Sequence, residues 1–197
     1  MRIYTRHGDD GSTSLRVGER VRKDDERVAL LGDLDEGQAA LGLARAECER
    51  GGALDELLLG VERDLWLVMA AVAVPAERET AGGAGSVTAE MVARLEHQID
   101  EVKARVELSP NFSVPGGSRL SAALDFARTV IRRAERAAVA LGCSGALLAY
   151  VNRLSDLCWV LARDAEGEHL VHRRTRGAPS GSARGEATDS EIDEEQR

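Results

Sequence analysis

The segment RLSAALDFARTVIRRAERAAVAL, Arg119–Leu141, decides the fold. Leu120, Leu124, Ala127, Ile131, Ala134, Ala138 and Leu141 fall within about 100° of arc on a helix turning roughly 100° per residue, a near-heptad seam for packing in a bundle. Arg128, Arg132, Glu135 and Arg136 recur at i+3 and i+4 on the flank of that seam and project along one side. The segment holds five arginines against Asp125 and Glu135, a local balance of +3 inside a chain of net charge −8. Guanidinium forks bind phosphate bidentately, so the inversion suits a polyphosphate; the alternative is a solvated face laced with i, i+4 salt bridges.

Outward from this helix the same periodicity recurs. Beyond Gly142-Cys-Ser-Gly145 a fifth helix spans about Ala146 to Ala165, with Leu147, Leu148, Val151, Leu154, Leu157, Cys158 and Leu161 on its buried side. It also carries Asn152 and Asp156 on one face, which either stitch the bundle or face a ligand. Upstream, Thr88 caps a third helix bearing Met91, Leu95, Ile99 and Val102. A second helix follows Gly51-Gly52, runs on the stripe Leu54, Leu57, Leu58, Val61, Leu65, Val68, Met69 and Val72, and reads as deeply buried. The first helix is predicted from Asp33, as cap with Glu36 three residues on, to about Glu49. Five helices in series define an all-α fold.

Three segments interrupt or flank these helices. Ser109–Ser118, with two prolines and two glycines around Phe112, is a defined loop that leaves Phe112 either a core plug or a pocket wall. Residues 1–32 read as an ordered loop segment, 33–170 as the bundle core and 171–197 as a disordered tail too poor in apolar side chains to offset ordering entropy.

Composition removes whole classes. Aromatic residues make up 3% of the 197 residues, against 43% hydrophobic and 30% charged, so helix formers dominate and an all-β fold is excluded. A net charge of −8 opposes nucleic acid and anionic membrane. Cys48, Cys143 and Cys158 are odd in number and form no CxxC, which suggests neither a disulfide framework nor a zinc site and fits thiols in a reducing cytoplasm. The apolar run Leu65–Pro75 is about half of the ~20 residues needed to span a bilayer. No Ser/His/Asp or Cys/His set is present in a defensible arrangement, and the four histidines have no metal-ligand spacing.

The remaining candidate chemistry is at the N-terminus. In Thr5-Arg-His-Gly8-Asp9-Asp-Gly11-Ser-Thr13-Ser14 the glycines let backbone N–H groups approach an anion, and the hydroxyls can donate to phosphate oxygens or help hold a metal. An ordinary hairpin turn explains the composition equally well. Lys23, in Arg22-Lys-Asp-Asp25, either supplies a point charge to a terminal phosphate or is ordinary surface charge, which in isolation such a lysine more often is.

Taken in order, IYTRHGDDGSTSL, RKDD, GDLDE, NFSVPGG, ARTVIRRAER and YVNRLSDLCWVLAR resemble the PduO-type ATP:cob(I)alamin adenosyltransferases from about Ile3 to Arg163. The resemblance implies a five-helix bundle of ferritin-like architecture that assembles as a homotrimer, with ATP between the N-terminal loop of one subunit and the arginine helix of the next. It carries ATP contacts onto Thr5, Arg6, Gly8, Asp9, Gly11, Thr13, Ser14, Lys23, Arg132, Arg133, Glu135, Arg136 and Asn152. Arg132, Arg136 and Phe112 take the catalytic positions, Asp35 and Arg128 match an inter-subunit acid–arginine pair, and Phe112 matches the aromatic beneath the corrin ring. The implied reaction is attack of cobalt(I) on the ribose 5′ carbon of ATP, which needs no protein nucleophile. Mg²⁺ with no assigned protein ligand and a reductase partner are further implications. His7, Asp10 and Gly37 depart from the Thr, Lys and Leu usual in the family, and they define the competing reading, a non-catalytic ATP-binding bundle.

Overall fold

The computed structural model describes residues 3–4, 6–15, 20–74, 86–108 and 113–166. A two-stranded antiparallel hairpin, β1 (Ser12–Ser14) and β2 (Arg20–Arg22), precedes five helices: α1 (Glu26–Ala46), α2 (Ala53–Val72), α3 (Ala89–Lys103), α4 (Arg119–Ala140) and α5 (Gly145–Asp164). The bundle is built by α4 lying between α1 and α5, with α2 on the outer side of α1 and α3 against α5. The expected all-α fold is therefore present, with the hairpin as its one small sheet among the described residues.

The α4 seam forms as its spacing predicts: Leu124, Ala127, Ile131, Ala134 and Ala138 are buried, and Leu120 and Leu141 pack at its ends. Burial of each large aliphatic side chain contributes about 1.5–3 kcal/mol. At the start of α4, Ser118 accepts from the Ser121 N–H while Ser121 accepts from the Ser118 N–H, both at 3.0 Å, a reciprocal capping box. At its end Gly142, at φ +81°, turns the chain into the left-handed region and lets the Cys143 N–H reach the Ala138 carbonyl at 2.9 Å. Thr88 caps α3 as expected, accepting from the Met91 N–H.

Two expectations are corrected. Helix α1 starts at Glu26, because the Asp25 carboxylate caps it by accepting from the Arg27 N–H at 2.9 Å, and its buried stripe already includes Leu30. Asp33, predicted as the cap, is a mid-helix residue whose carboxylate binds Arg133 of α4. Nor is α2 buried all round. Its stripe Leu58, Val61, Leu65, Val68 and Val72 faces the core, but α2 packs mainly on α1, so Trp66 is 67% exposed and Leu67 also faces outward. No helix among the described residues is long and apolar enough to cross a membrane.

Candidate active site

The N-terminal glycines belong to a tight loop closed by backbone bonds. The Asp9 N–H donates to the Arg6 carbonyl at 3.3 Å, the Gly11 N–H to that of Gly8 at 3.2 Å, and the Lys23 N–H to that of Gly11 at 2.9 Å. Gly11 adopts φ +79°, which an L side chain resists. A Cβ on Gly8 would stand 3.0 Å from Lys23 Nζ, so the bare backbone at Gly8 is what lets that ammonium lie across the loop. Register pairs Ser12 with Arg22, Thr13 with Val21 and Ser14 with Arg20. Gly8, Asp9, Gly11, Thr13, Ser14 and Lys23 thus come together. Arg6, at φ 64°, lies over the exposed Tyr4 ring at 5.7 Å, and Thr5 falls outside the described residues.

Sequence reasoning missed what stiffens this loop. Asp10 accepts from the Ser12 N–H at 2.9 Å and from its hydroxyl at 2.7 Å, and Arg20 Nη2 reaches the same carboxylate at 3.3 Å. The Ser12 hydroxyl first, then its N–H and Arg20, hold the Asp10 carboxyl below the usual carboxylate range. Arg20 also donates to the His7 carbonyl at 2.8 Å. An Asx-type pattern, Asp two residues before Ser, was the available signal.

On α4 the arginines divide into two kinds. Arg133 is engaged, its Nε donating to Asp33 at 2.8 Å and its Nη2 to Glu36, both on α1. Arg132 and Arg136 are exposed, one turn apart, and neither has a carboxylate partner among the described residues; Arg136 Nη1 donates to the Arg132 carbonyl at 2.9 Å. Glu135 accepts from Asn152 Nδ2 of α5 at 2.7 Å, and Asn152 Oδ1 accepts from Arg153 at 2.6 Å, so this pair stitches α4 to α5 beside the free arginines. Asp156 is exposed and bound by Arg153 at 3.2 Å.

The corrin-side residues are less assembled in one chain. Asp35 is exposed on α1 and forms no ion pair among the described residues, while Arg128 donates to Asp125 of its own helix at 3.2 Å. Phe112 falls outside the described residues. A groove of about 460 Å³ runs between α1 and α2, its lining including Asp35, Gly42, Leu59, Arg63 and Trp66. Missed by the sequence reading were Arg45, which binds Asp55 and Glu62 at 2.7 Å each and ties α1 to α2 under this groove, and the buried Asp125–Arg163–Glu166 cluster. An Asp directly beside a seam leucine in α4 was the only sequence signal for the latter.

Fold and site together define a helical-bundle protein whose central helix carries an exposed basic edge, Arg132 and Arg136, with a separate glycine loop of hydroxyls and amides at the N-terminal end of the chain. The chain belongs to the cobalamin adenosyltransferase family, whose family model matches residues 3–165. It is 38% identical over 182 residues to the corrinoid adenosyltransferase of Mycobacterium tuberculosis, covering 89% of this chain and 94% of that one. Among solved structures it is similar to a variant PduO-type ATP:corrinoid adenosyltransferase from Lactobacillus reuteri complexed with cobalamin and ATP, with TM-score 0.79 and 30% identity over 87% of this chain and 99% of that one. A second variant of the Lactobacillus reuteri enzyme, complexed with ATP, gives TM-score 0.78 and 30% identity over 87% of this chain and 100% of that one.

Proposed function

We propose that this chain is an ATP:cob(I)alamin adenosyltransferase that works as a homotrimer. The observation that carries the reading is the pair Arg132 and Arg136, exposed on α4 without carboxylate partners among the described residues, in a chain of this family. In the reaction the cobalt(I) of the substrate attacks the ribose 5′ carbon, a Co–C bond forms from the cobalt electron pair, the C5′–O bond breaks and triphosphate leaves. Charge grows on the leaving oxygens, so cations fixed in advance lower the barrier without reorganisation. Arg132 and Arg136 take this role; Lys23 and the amides and hydroxyls of the Gly8–Ser14 loop hold the phosphates, with Thr5, Arg6 and Asp9 completing the loop. Arg133, Glu135 and Asn152 frame the pocket through their interhelical bonds.

Two observations support a second copy completing the site. Among the described residues the hairpin strands pack chiefly on each other and not on α4. Apolar side chains are also exposed on both candidate surfaces: Leu43 and Trp66 on α1 and α2, Phe126 and Val139 on α4. A head-to-tail contact of α4 on the α1–α2 face closes into a ring and brings Arg128 to Asp35 of the neighbouring copy. Phe112 covers the lower face of the corrin, and a reductase delivers the electron that makes cobalt(I). Among the described residues no three His, Cys, Asp or Glu side chains gather where a metal ion could be held, so a Mg²⁺ ion would be held chiefly by the ATP phosphates and water, and no step is assigned to it.

The test is to supply pre-reduced cob(I)alamin and ATP and follow the Co–C product spectrum alongside released triphosphate. One triphosphate per adenosylated corrinoid is expected. ATP binding without either product would establish the non-catalytic reading instead.

A further inference from the structure

A charged cluster sits inside the bundle where α4 begins and α5 ends. The Asp125 carboxylate, on α4, receives Arg163 Nη2 of α5 on one oxygen and Arg128 Nε on the other, the latter at 3.2 Å. Arg163 Nη2 also donates to Glu166 at 3.0 Å. The side chains of Asp125, Arg163 and Glu166 are 5%, 4% and 1% exposed, and Arg163 Nε is buried with no hydrogen-bond partner among the described residues. Such a cluster is a poor device for stability alone, since buried ion pairs are often matched or bettered by apolar side chains of similar volume. A buried arginine that leaves one nitrogen unsatisfied makes that bargain worse.

Only one member of the cluster extends to the surface. Arg128 is 27% exposed, and because its Nε is the atom held by Asp125, its two Nη groups have no partner among the described residues. A guanidinium gripped at Nε offers its Nη groups outward, the donors a carboxylate accepts. We propose that Asp125 is a positioning residue that aims Arg128 across the subunit boundary at Asp35 of the neighbouring copy, with Arg163 fixing Asp125 in turn; this rests on the trimeric reading above. The α4–α5 seam thereby sets the geometry of the corrin side of the site. The ATP side, at Arg132 and Arg136 one and two turns further along α4, does not depend on it.

The experiment is a double-mutant cycle of Asp125→Asn and Arg128→Ala in the full chain, reading KM for cob(I)alamin at saturating ATP, KM for ATP and melting temperature. Misaiming a contact residue costs about tenfold or more, so Asp125→Asn is expected to raise the corrinoid KM by at least that factor in the parent background. In the Arg128→Ala background it should change that KM less than twofold, with KM for ATP little altered in both. Equal fold-changes of the corrinoid KM in both backgrounds would overturn the proposal, because Asp125 would then act through general stability. An Arg128→Ala variant with parental corrinoid KM and parental assembly would remove the inter-subunit reading itself and the proposal with it, a failure visible in the single variant. If Asp125→Asn does not fold, Asp125→Glu keeps the charge for Arg163 while displacing the carboxylate from Arg128, and the same cycle and criteria apply.

Discussion

Replacing Arg132 or Arg136 by alanine separates catalytic from structural charge on a single helix. Each is exposed and holds no carboxylate among the described residues, so truncation breaks no interhelical bridge. The Arg132 carbonyl that receives Arg136 Nη1 is backbone and survives Arg132→Ala. Alanine is also the strongest helix former, so α4 loses nothing in propensity. A charge-assisted hydrogen bond to a phosphate oxygen is worth about 1.5–3 kcal/mol, and each ~1.4 kcal/mol is tenfold in rate. Either variant is therefore expected to lose about 10- to 150-fold in kcat/KM. The assay is adenosylation of pre-reduced cob(I)alamin, beside a thermal melt. Arg133→Ala reads the structural charge on the same helix. Its bonds to Asp33 and Glu36 are partly exposed, so screening leaves each about 0.2–1 kcal/mol, and the melting temperature should fall by up to about 8 °C. Should Arg132→Ala and Arg136→Ala both turn over within twofold of the parent, these arginines are a solvated face and the catalytic assignment is wrong.

Gly37 and Ile131 should be coupled. A Cβ at Gly37 would lie 2.6 Å from Ile131 Cδ1, so Gly37→Ala should lose to overpacking, about 1–3 kcal/mol, more than the ~1 kcal/mol it gains in helix propensity. In an Ile131→Val background, which removes that methyl, the same substitution should stabilise; denaturant midpoints that shift equally in both backgrounds would refute this. Asp55 should govern part of the acid limb of stability. The Gly51 N–H at 2.8 Å and then Arg45 hold its carboxyl below the ordinary 3.8, so its contribution is whole above that value and is lost as pH falls through the lower folded value. Asp55→Asn should flatten the fall in melting temperature below about pH 4, and parallel acid limbs in variant and parent would count against it.

What the sequence made legible was whatever follows from periodicity or local capping. The α4 seam, the Thr88 cap and the breaks at Gly51-Gly52 and Gly142 each depend on residues within a few positions of one another. The start of α1 was not legible because Asp25 and Asp33 are both acceptable caps. What decides between them is the burial of Leu30 against the bundle, a long-range fact. The same limit applies to charge. Arg132, Arg133 and Arg136 are equivalent in the sequence, and only the placement of Asp33 and Glu36 on α1 shows that Arg133 is committed while its neighbours have no carboxylate partner among the described residues. The order of motifs nevertheless identified the family, since a combination spread over most of the chain carries more information than any one of its parts.

That division of the arginines bears on how a bundle without a nucleophile can catalyse. The attacking electrons belong to the corrinoid, so the protein's contribution is confined to placing two substrates and meeting the charge that leaves. Both tasks require rigid positions more than reactive side chains. On α4 rigidity and charge are supplied by different residues: Arg133 and Glu135 are tied to α1 and α5, and Asp125 is locked to Arg163, while Arg132 and Arg136 stand between these fixed points with no partner carboxylate among the described residues. An arginine already held by a carboxylate would have to give up that bond to meet triphosphate, and the energy of the exchange would be subtracted from catalysis. In the proposed reaction, two cations without carboxylate partners among the described residues, on a helix pinned on both sides, avoid that subtraction. The departures at His7 and Asp10 lie in the hairpin loop, where Asp10 braces Ser12 and Arg20, so under the proposed reading they alter how the loop is held and leave Arg132 and Arg136 on α4 untouched.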